Sequence, residues 1–408
     1  MKIPQIIKHF TDNDLYSFTV GYYVIMNYPR AQAHFKFFDR NNTVYPSGFA
    51  ALLEEQMQNM ENVVITDEEV EFMLNKCYYL PKWYINTFLR GFRFYPNNLV
   101  IRQDIDGHLS IDIVGDWFSA LMWEMPILST VSELMHRLNG DFDKYNIEVE
   151  RERIAEKAKK MLDAGLRFSD FGTRRRFSYK HHDMVVKTMA EVADDALISM
   201  GQFVGTSNVY FAMKYNLTPI GTMSHQIVSF EENVASVFEV NYSVMNKWAE
   251  TYGGDLGVYL YDCFGDDVFF NNFSKKHAML FSGLRVDSGK EEEQLRKIVA
   301  KYKELGIDPR TKQVVFSNGL DTDRAIQLHK QCIGIVQDSY GIGTNITCDV
   351  TDAKPMNIVV KLIGGRITEK RKWMPCVKLS CDKGKTLGDS QKCKYLTDLL
   401  DEDKKDGG

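Results

Sequence analysis

The second half of the chain repeats one architectural unit, and that repetition constrains the fold more than any other feature. Short apolar runs ending in Gly and polar residues occur at 165–169, 202–204, 218–222, 256–261, 280–286, 313–316 and 332–336. Amphipathic stretches fall between them, and helices are expected at 181–195, 207–215, 291–305 and 323–330. The clearest is EEEQLRKIVAKYKELG, where Leu295, Ile298, Val299, Tyr302 and Leu305 share one face and Gly306 ends the helix. Strand–helix alternation of this kind calls for parallel strands joined by crossover helices. Asp262, Asp287, Ser317 and Gly341 stand 25, 30 and 24 residues apart. That spacing matches one strand–helix unit of an α/β barrel.

The first 125 residues read differently. They are rich in aromatics, and AQAHFKFFDR and RQDIDGHLSIDIVGD alternate with period two, which suits an antiparallel sheet. The expected organisation is a sandwich-like domain over 1–125, joined by 360–395, and a barrel over 126–359. The charged tail, 396–408, is expected to fray.

Composition narrows the function classes. A net charge of -5 over 408 residues leaves no basic footprint for nucleic acid. Any phosphate must therefore be held by local cations and backbone amides. The seven cysteines form no CxxC pair, which argues against a zinc site or a disulfide framework and for a reducing, cytoplasmic setting. The N-terminus carries no apolar stretch long enough for a signal peptide. No apolar run reaches the length of a membrane span, so no membrane partner is expected.

Several short motifs carry chemistry. In QDSYGIGTN, Gly341 and Gly343 let the backbone approach a ligand, and Thr344 adds a hydroxyl. Its expected place, after the last barrel strand, is where barrels often hold phosphate. In VVFSNGLD, Ser317, Asn318 and Gly319 would form the neighbouring loop on the same face, although Asn-Gly is also an ordinary turn. GLRVDSGK puts Arg285 and Asp287 two residues apart at a strand end, so both side chains point the same way, as a site or as a buried ion pair. FGTRRRFS concentrates Arg174, Arg175 and Arg176, whose planar forks suit phosphate or carboxylate. IGTMSHQ places His225 just past a strand-like run, and histidine can be a nucleophile toward a phosphoryl group. In TDNDLYSFT, Asn13 or Asp14 could cap a helix, and Tyr16 could be a stacking platform or a core residue. Ser207 could cap the helix that follows it.

Taken together and in this order, TDNDLYSFTV, FGTRRRFS, GTSNVYFAMKYNLTPIGTMSHQ, LYDCF, GLRVDSGK, VVFSNGLD, YGIGTN and CVKLSCDKGKTLGD resemble the nicotinate phosphoribosyltransferase family. The resemblance runs over most of the chain. It implies a type II phosphoribosyltransferase fold: an incomplete α/β barrel packed on an N-terminal open-faced α+β sandwich domain. It also implies the substrates nicotinate and phosphoribosyl pyrophosphate, with ATP as co-substrate and Mg²⁺ as cofactor. His225 is similar to a histidine phosphorylated by ATP, and Tyr16 to an aromatic that stacks on the pyridine ring. Thr222 looks like a nearby substrate contact, Arg285 like the arginine that grips the nicotinate carboxylate, and Arg175 like a neighbour of the substrate phosphates. Thr344, with Gly341 and Gly343, is similar to a cradle for the 5′-phosphate. No protein metal ligand follows from the resemblance. Asp287 could hold ribose hydroxyls or stabilise a positive sugar.

The reaction so implied forms nicotinate mononucleotide and pyrophosphate, a glycosyl transfer in NAD salvage driven by ATP hydrolysis. The nearest alternative is a type II enzyme using nicotinamide or quinolinate. A more distant one is a sugar-phosphate hydrolase or isomerase with Asp262 and Asp287 as acid and base. A non-catalytic sensor is disfavoured by the lack of an appended output domain. Both a monomer and a homodimer are compatible with the sequence.

Overall fold

The structure is a computed structural model that describes residues 3–196, 199–380, 382 and 386–406. Cys381 and residues 383–385 of the late motif lie outside the described residues.

Among the described residues, twelve strands build two sheets. The first is antiparallel, with β1 (Gln32–Asp39), β2 (Leu99–Gln103), β3 (Leu109–Asp116), β11 (Ile358–Arg366) and β12 (Met374–Pro375) in the order β12-β11-β1-β3-β2. Strand β1 alternates strictly, and Ala33, Phe35 and Phe37 are buried while their neighbours are half-exposed. Period-two geometry puts these three on the core face. Strand β11 pairs with β1 along its whole length, so the chain returns to the first sheet after completing the second.

The second sheet is parallel and contains β4 (Arg167–Asp170), β5 (Gln202–Thr206), β6 (Thr218–Pro219), β7 (Val258–Leu260), β8 (Gly283–Val286), β9 (Gln313–Phe316) and β10 (Gln337–Ile342). Its order is β6-β5-β4-β10-β9-β8-β7. The end strands β6 and β7 do not pair, so the barrel is incomplete. Phe168, Tyr259, Leu284, Val314, Phe316 and Tyr340 are buried on the face of the sheet opposite Arg285, where Tyr259 stacks on Phe269 of the helix Asp266–Asn272. Crossover helices cover the outside, among them Tyr179–Asp195, Val209–Lys214, Glu291–Glu304 and Thr322–Cys332. The helix Glu291–Glu304 opens on three glutamates and closes near Lys301 and Lys303, as the helix dipole favours. Its inward face carries Leu295, Ile298 and Tyr302.

The N-terminal helix Leu15–Asn27 lies against the open seam. The Thr19 hydroxyl donates to the carbonyl of Thr222, just after β6, and Tyr252 donates to the carbonyl of Thr19. Thr222 in turn donates its hydroxyl to the Val258 carbonyl of β7 at 3.0 Å. A side-chain hydrogen bond and a helix thus stand where an eighth strand would close the cylinder.

The structure corrects four local expectations. The run 332–336 is not a strand: the helix extends to Cys332, Ile333 and Ile335 are exposed, and β10 is the polar-looking QDSYGI. Gly341 therefore sits inside a strand rather than in a loop. A Cβ there would lie 2.4 Å from the Phe171 ring, so the glycine is required for that close packing. Only Thr218–Pro219 of the run 218–222 is strand. Among the described residues the tail is helical, and the helix Ser390–Asp406 buries Leu396 and packs Leu399 and Leu400 against the core. The charge of that segment conceals an apolar stripe at i, i+3 and i+4. Finally, Asn208 rather than Ser207 caps the helix Val209–Lys214, its side chain accepting from the Phe211 amide. Ser207 instead donates to Asp14 at 2.7 Å.

Candidate active site

A cleft of about 400 Å³ opens between the C-terminal ends of the parallel strands and the antiparallel sheet. Tyr16, Arg175, His225, Arg285, Asp287, Ser317, Asn318, Gly319, Gly341, Gly343 and Thr344 all line it. These residues are drawn from segments spread over 300 positions of sequence, and the barrel topology is what gathers them at one rim. Thr222 is not among the lining residues and spends its hydroxyl on the barrel seam.

Arg285 and Asp287 project into the cleft from β8 and the residue just beyond it, as their spacing requires. The buried Nε of Arg285 has no hydrogen-bond partner among the described residues. A buried guanidinium N–H without an acceptor is costly, and an anionic ligand would satisfy it. Burial opposes the charge of Asp287, but Arg285 beside it holds its carboxyl below the usual carboxylate range. Ser317 donates to Asp287 at 2.9 Å and so ties β9 to β8 at the rim.

His225 opens the helix His225–Glu231. Its Nε2 lies 2.8 Å from Asp262 Oδ1 and 2.8 Å from Lys378 Nζ. Lys378 also donates to Asp262 Oδ2 at 2.8 Å, and Ser288 donates to the same oxygen at 2.7 Å. Burial first, and the Lys378 ammonium second, push the histidine down to about 4 despite the opposing pull of Asp262. The imidazole is therefore neutral near pH 7. Burial works against ionisation of Asp262 as well, but its partners hold it well below the ordinary range. With His225 neutral, Lys378 is the cation that does this. Nε2 faces both groups, and Nδ1 has no hydrogen-bond partner among the described residues.

Six cations line the cleft, namely Arg40, Arg174, Arg175, Arg285, Lys361 and Lys378, against the carboxylates of Asp14, Glu124 and Asp287. The chain is acidic overall, so this is a local concentration of positive charge. Burial, followed by Arg174 and Arg40, pushes Arg175 down to about 10. Burial, followed by Arg174, pushes Lys361 down to about 8. Cations that weaken one another in this way are relieved by a polyanion. Arg174 is the exception: burial opposes its charge, but Tyr16, Glu124 and Asp14 raise it. Its guanidinium stands 5.6 Å from the Tyr16 ring centroid and 3.7 Å from Glu124, fixing the aromatic in place.

The three consecutive arginines separate by role. Arg174 and Arg175 face the cleft, whereas Arg176 is fully buried and grips Asp12 at 2.7 and 2.8 Å. Sequence reasoning did not single out Phe171, Arg40, Glu124, Gln226 or Lys361, all of which line the cleft. Phe171 adds a second aromatic wall. Its signal was the glycine pair 341 and 343, because a ring pressed on Gly341 needs that missing Cβ. Lys361 carried no local signal, since it lies on a strand of the other sheet.

His225, Asp262 and Asp287 offer ligand atoms within 4.8 Å of one another. Lys378 already sits against two of the three, so a cation centred there would face an ammonium at close range. Asp287 alone could serve as the single carboxylate through which, with phosphate oxygens, Mg²⁺ is commonly held.

The sequence matches the nicotinate phosphoribosyltransferase (NAPRTase) family over residues 166–404 and that family's N-terminal domain over residues 11–132. It is 38% identical to a nicotinate phosphoribosyltransferase of Desulforapulum autotrophicum, over 97% of this chain and 99% of that one. It is 36% identical to one of Chromohalobacter salexigens, over 94% and 96% of the two chains. The crystal structure of nicotinate phosphoribosyltransferase from Porphyromonas gingivalis superposes with a TM-score of 0.92 at 39% identity, covering 97% of this chain and all of that one. The half-barrel facing an antiparallel sheet is thus shared with the Porphyromonas gingivalis structure over nearly the whole sequence, and the chain belongs to the nicotinate phosphoribosyltransferase family.

Proposed function

We propose that this chain joins nicotinate to phosphoribosyl pyrophosphate, giving nicotinate mononucleotide and pyrophosphate, in a cytoplasmic salvage route to NAD. The observation that carries the reading is the unpartnered buried Nε of Arg285 in the same cleft as the turns at 317–319 and 343–344. One cation waits for a carboxylate where backbone and hydroxyl donors can take a sugar phosphate.

The pyridine nitrogen is already nucleophilic, so the cleft needs no general base. Its task is to align that nitrogen with C1 of the ribose while the bond to pyrophosphate breaks. Tyr16, fixed by Arg174, and Phe171 supply flat surfaces for the ring. Arg40, Arg175 and Lys361 neutralise the charge that builds on the departing pyrophosphate. Asp287, ionised and facing the same space, favours the positive sugar or its hydroxyls. Mg²⁺, held by Asp287 and the phosphates, would supply further neutralisation of the leaving group.

ATP hydrolysis is coupled through His225. Its Nδ1 lone pair attacks the γ-phosphorus, the bond to ADP breaks, and water later hydrolyses the phosphohistidine. Asp262 suits this role, because accepting a hydrogen bond from Nε2–H holds the tautomer whose Nδ1 is unprotonated. The test is product analysis with nicotinate, phosphoribosyl pyrophosphate, Mg²⁺ and ATP, omitting each in turn. Equal turnover of nicotinamide, or no dependence on a pyridine acid, would overturn the reading.

A further inference from the structure

We infer that the side-chain amide of Gln226 donates a hydrogen bond to a phosphate oxygen held beside His225, and that Trp117 is the positioning residue that aims it. This rests on the reading just given.

Gln226 lines the cleft one position after His225 and is 7% exposed. Its Oε1 accepts from the Trp117 indole N–H at 2.8 Å. An indole nitrogen only donates, so the amide oxygen must be the atom that meets it. That choice fixes which end of the amide points the other way. The two N–H groups of Nε2 have no acceptor among the described residues. They belong to a nearly buried side chain in a cleft built for phosphate.

The indole is itself immobile. Trp117 is fully buried, begins the helix Trp117–Leu121 directly after β3, and stacks on Phe230 at 4.1 Å between centroids. Phe230 lies four residues after Gln226, on the same face of the helix His225–Glu231. The tryptophan is therefore gripped by two residues of the helix that carries His225, one through its ring and one through its N–H. The first domain thereby sets the direction of a donor in the second.

A merely structural bond and a ligand donor make opposite forecasts for two variants. Gln226→Glu preserves the acceptor for Trp117 but removes both N–H groups and adds a negative charge. Gln226→Leu loses both functions without the charge. If holding Trp117 were the whole role, Gln226→Glu would resemble the parent protein and Gln226→Leu would be the worse variant. As a phosphate donor, Gln226→Glu is the worse variant, with transfer of label from γ-labelled ATP to the protein down about tenfold or more, and Gln226→Leu intermediate. Trp117→Phe should slow labelling in the same direction and add little to Gln226→Leu in the double variant.

Labelling at the parent rate in Gln226→Glu, with the fold intact by thermal melting, overturns the inference. If the parent protein itself takes no label, the phosphohistidine reading is what fails. Calorimetric binding of inorganic pyrophosphate then decides the inference: weaker binding to Gln226→Glu than to Gln226→Leu supports it, and equal affinities for both variants and the parent defeat it.

Discussion

Two of the barrel's histidine–aspartate pairs differ in how deeply they are buried. His182 meets Asp170 at 2.6 Å beside β4, and His225 meets Asp262 at 2.8 Å beside β7. At Asp170 the remaining carboxylate capacity is taken by protein: Thr206 donates at 2.6 Å and the Gly172 amide at 2.8 Å, with both members of the pair fully buried. At Asp262 the second oxygen meets a lysine, and the histidine reaches the cleft. The pair by itself is therefore no sign of catalysis. Its surroundings decide whether it braces a strand or serves a reaction.

The contrast can be broken at several points. The largest effect should come from His225→Ala, which is expected to abolish ATP stimulation while the melting temperature stays near that of the parent. Full stimulation in this variant would put the phosphoryl acceptor elsewhere. Asp170→Ala should do the reverse. Breaking a buried pair is expected to cost about 3–5 kcal/mol in denaturant unfolding. Stability unchanged by Asp170→Ala would place the bracing role in doubt.

A third probe leaves both histidines alone. Arg285→Gln removes the charge proposed to hold the substrate acid, an expected loss of about 1.5–3 kcal/mol, or roughly 10- to 150-fold in kcat/KM for nicotinate. The same variant should narrow the preference for nicotinate over nicotinamide, and an unaltered ratio speaks against a carboxylate contact. A fourth uses pH. An ordinary histidine gains a proton near pH 6.5 and loses its lone pair, whereas His225, pushed down to about 4, stays neutral. Labelling by ATP should hardly change between about pH 7.5 and about pH 5.5, where an ordinary histidine would fall about tenfold. A steep loss near pH 6.5 would falsify the assignment of Lys378 and burial as the dominant influences. The smallest effect is expected for Thr222→Val, about 0.5–1.5 kcal/mol of stability with an unaltered KM for nicotinate, because its hydroxyl serves the seam.

Much of this was legible in the sequence, for identifiable reasons. The helix Glu291–Glu304 announced itself through a clean apolar stripe and terminal charges. Arg285 and Asp287 could be assigned to one face because strand geometry fixes the direction of i and i+2. Strand β10 was misplaced because its buried residues, Tyr340 and Ile342, follow a polar start, while the apolar 332–336 run turns out to be a helix end and an exposed turn. The tail was misread because charge outnumbers its apolar stripe. Arg176 could not be told from Arg174 and Arg175, since only Asp12, from a distant segment, assigns it to the interior. Lys361 and Trp117 escaped notice for a related reason: each acts across the boundary between the two sheets, and no local pattern records a neighbour more than 100 residues away.

The plug in the barrel seam has a consequence for assembly. Tyr16 belongs to the helix that seals the gap between β6 and β7, so this aromatic wall of the cleft and the stopper of the cylinder are one piece. The early part of the chain can dock on neighbours made soon after it, as where Tyr84 donates to the Phe18 carbonyl, but it cannot seal the gap until β7 emerges, more than two hundred residues later. Closure of the seam would then be among the last events of maturation, and the catalytic chamber would be complete only once the scaffold is finished.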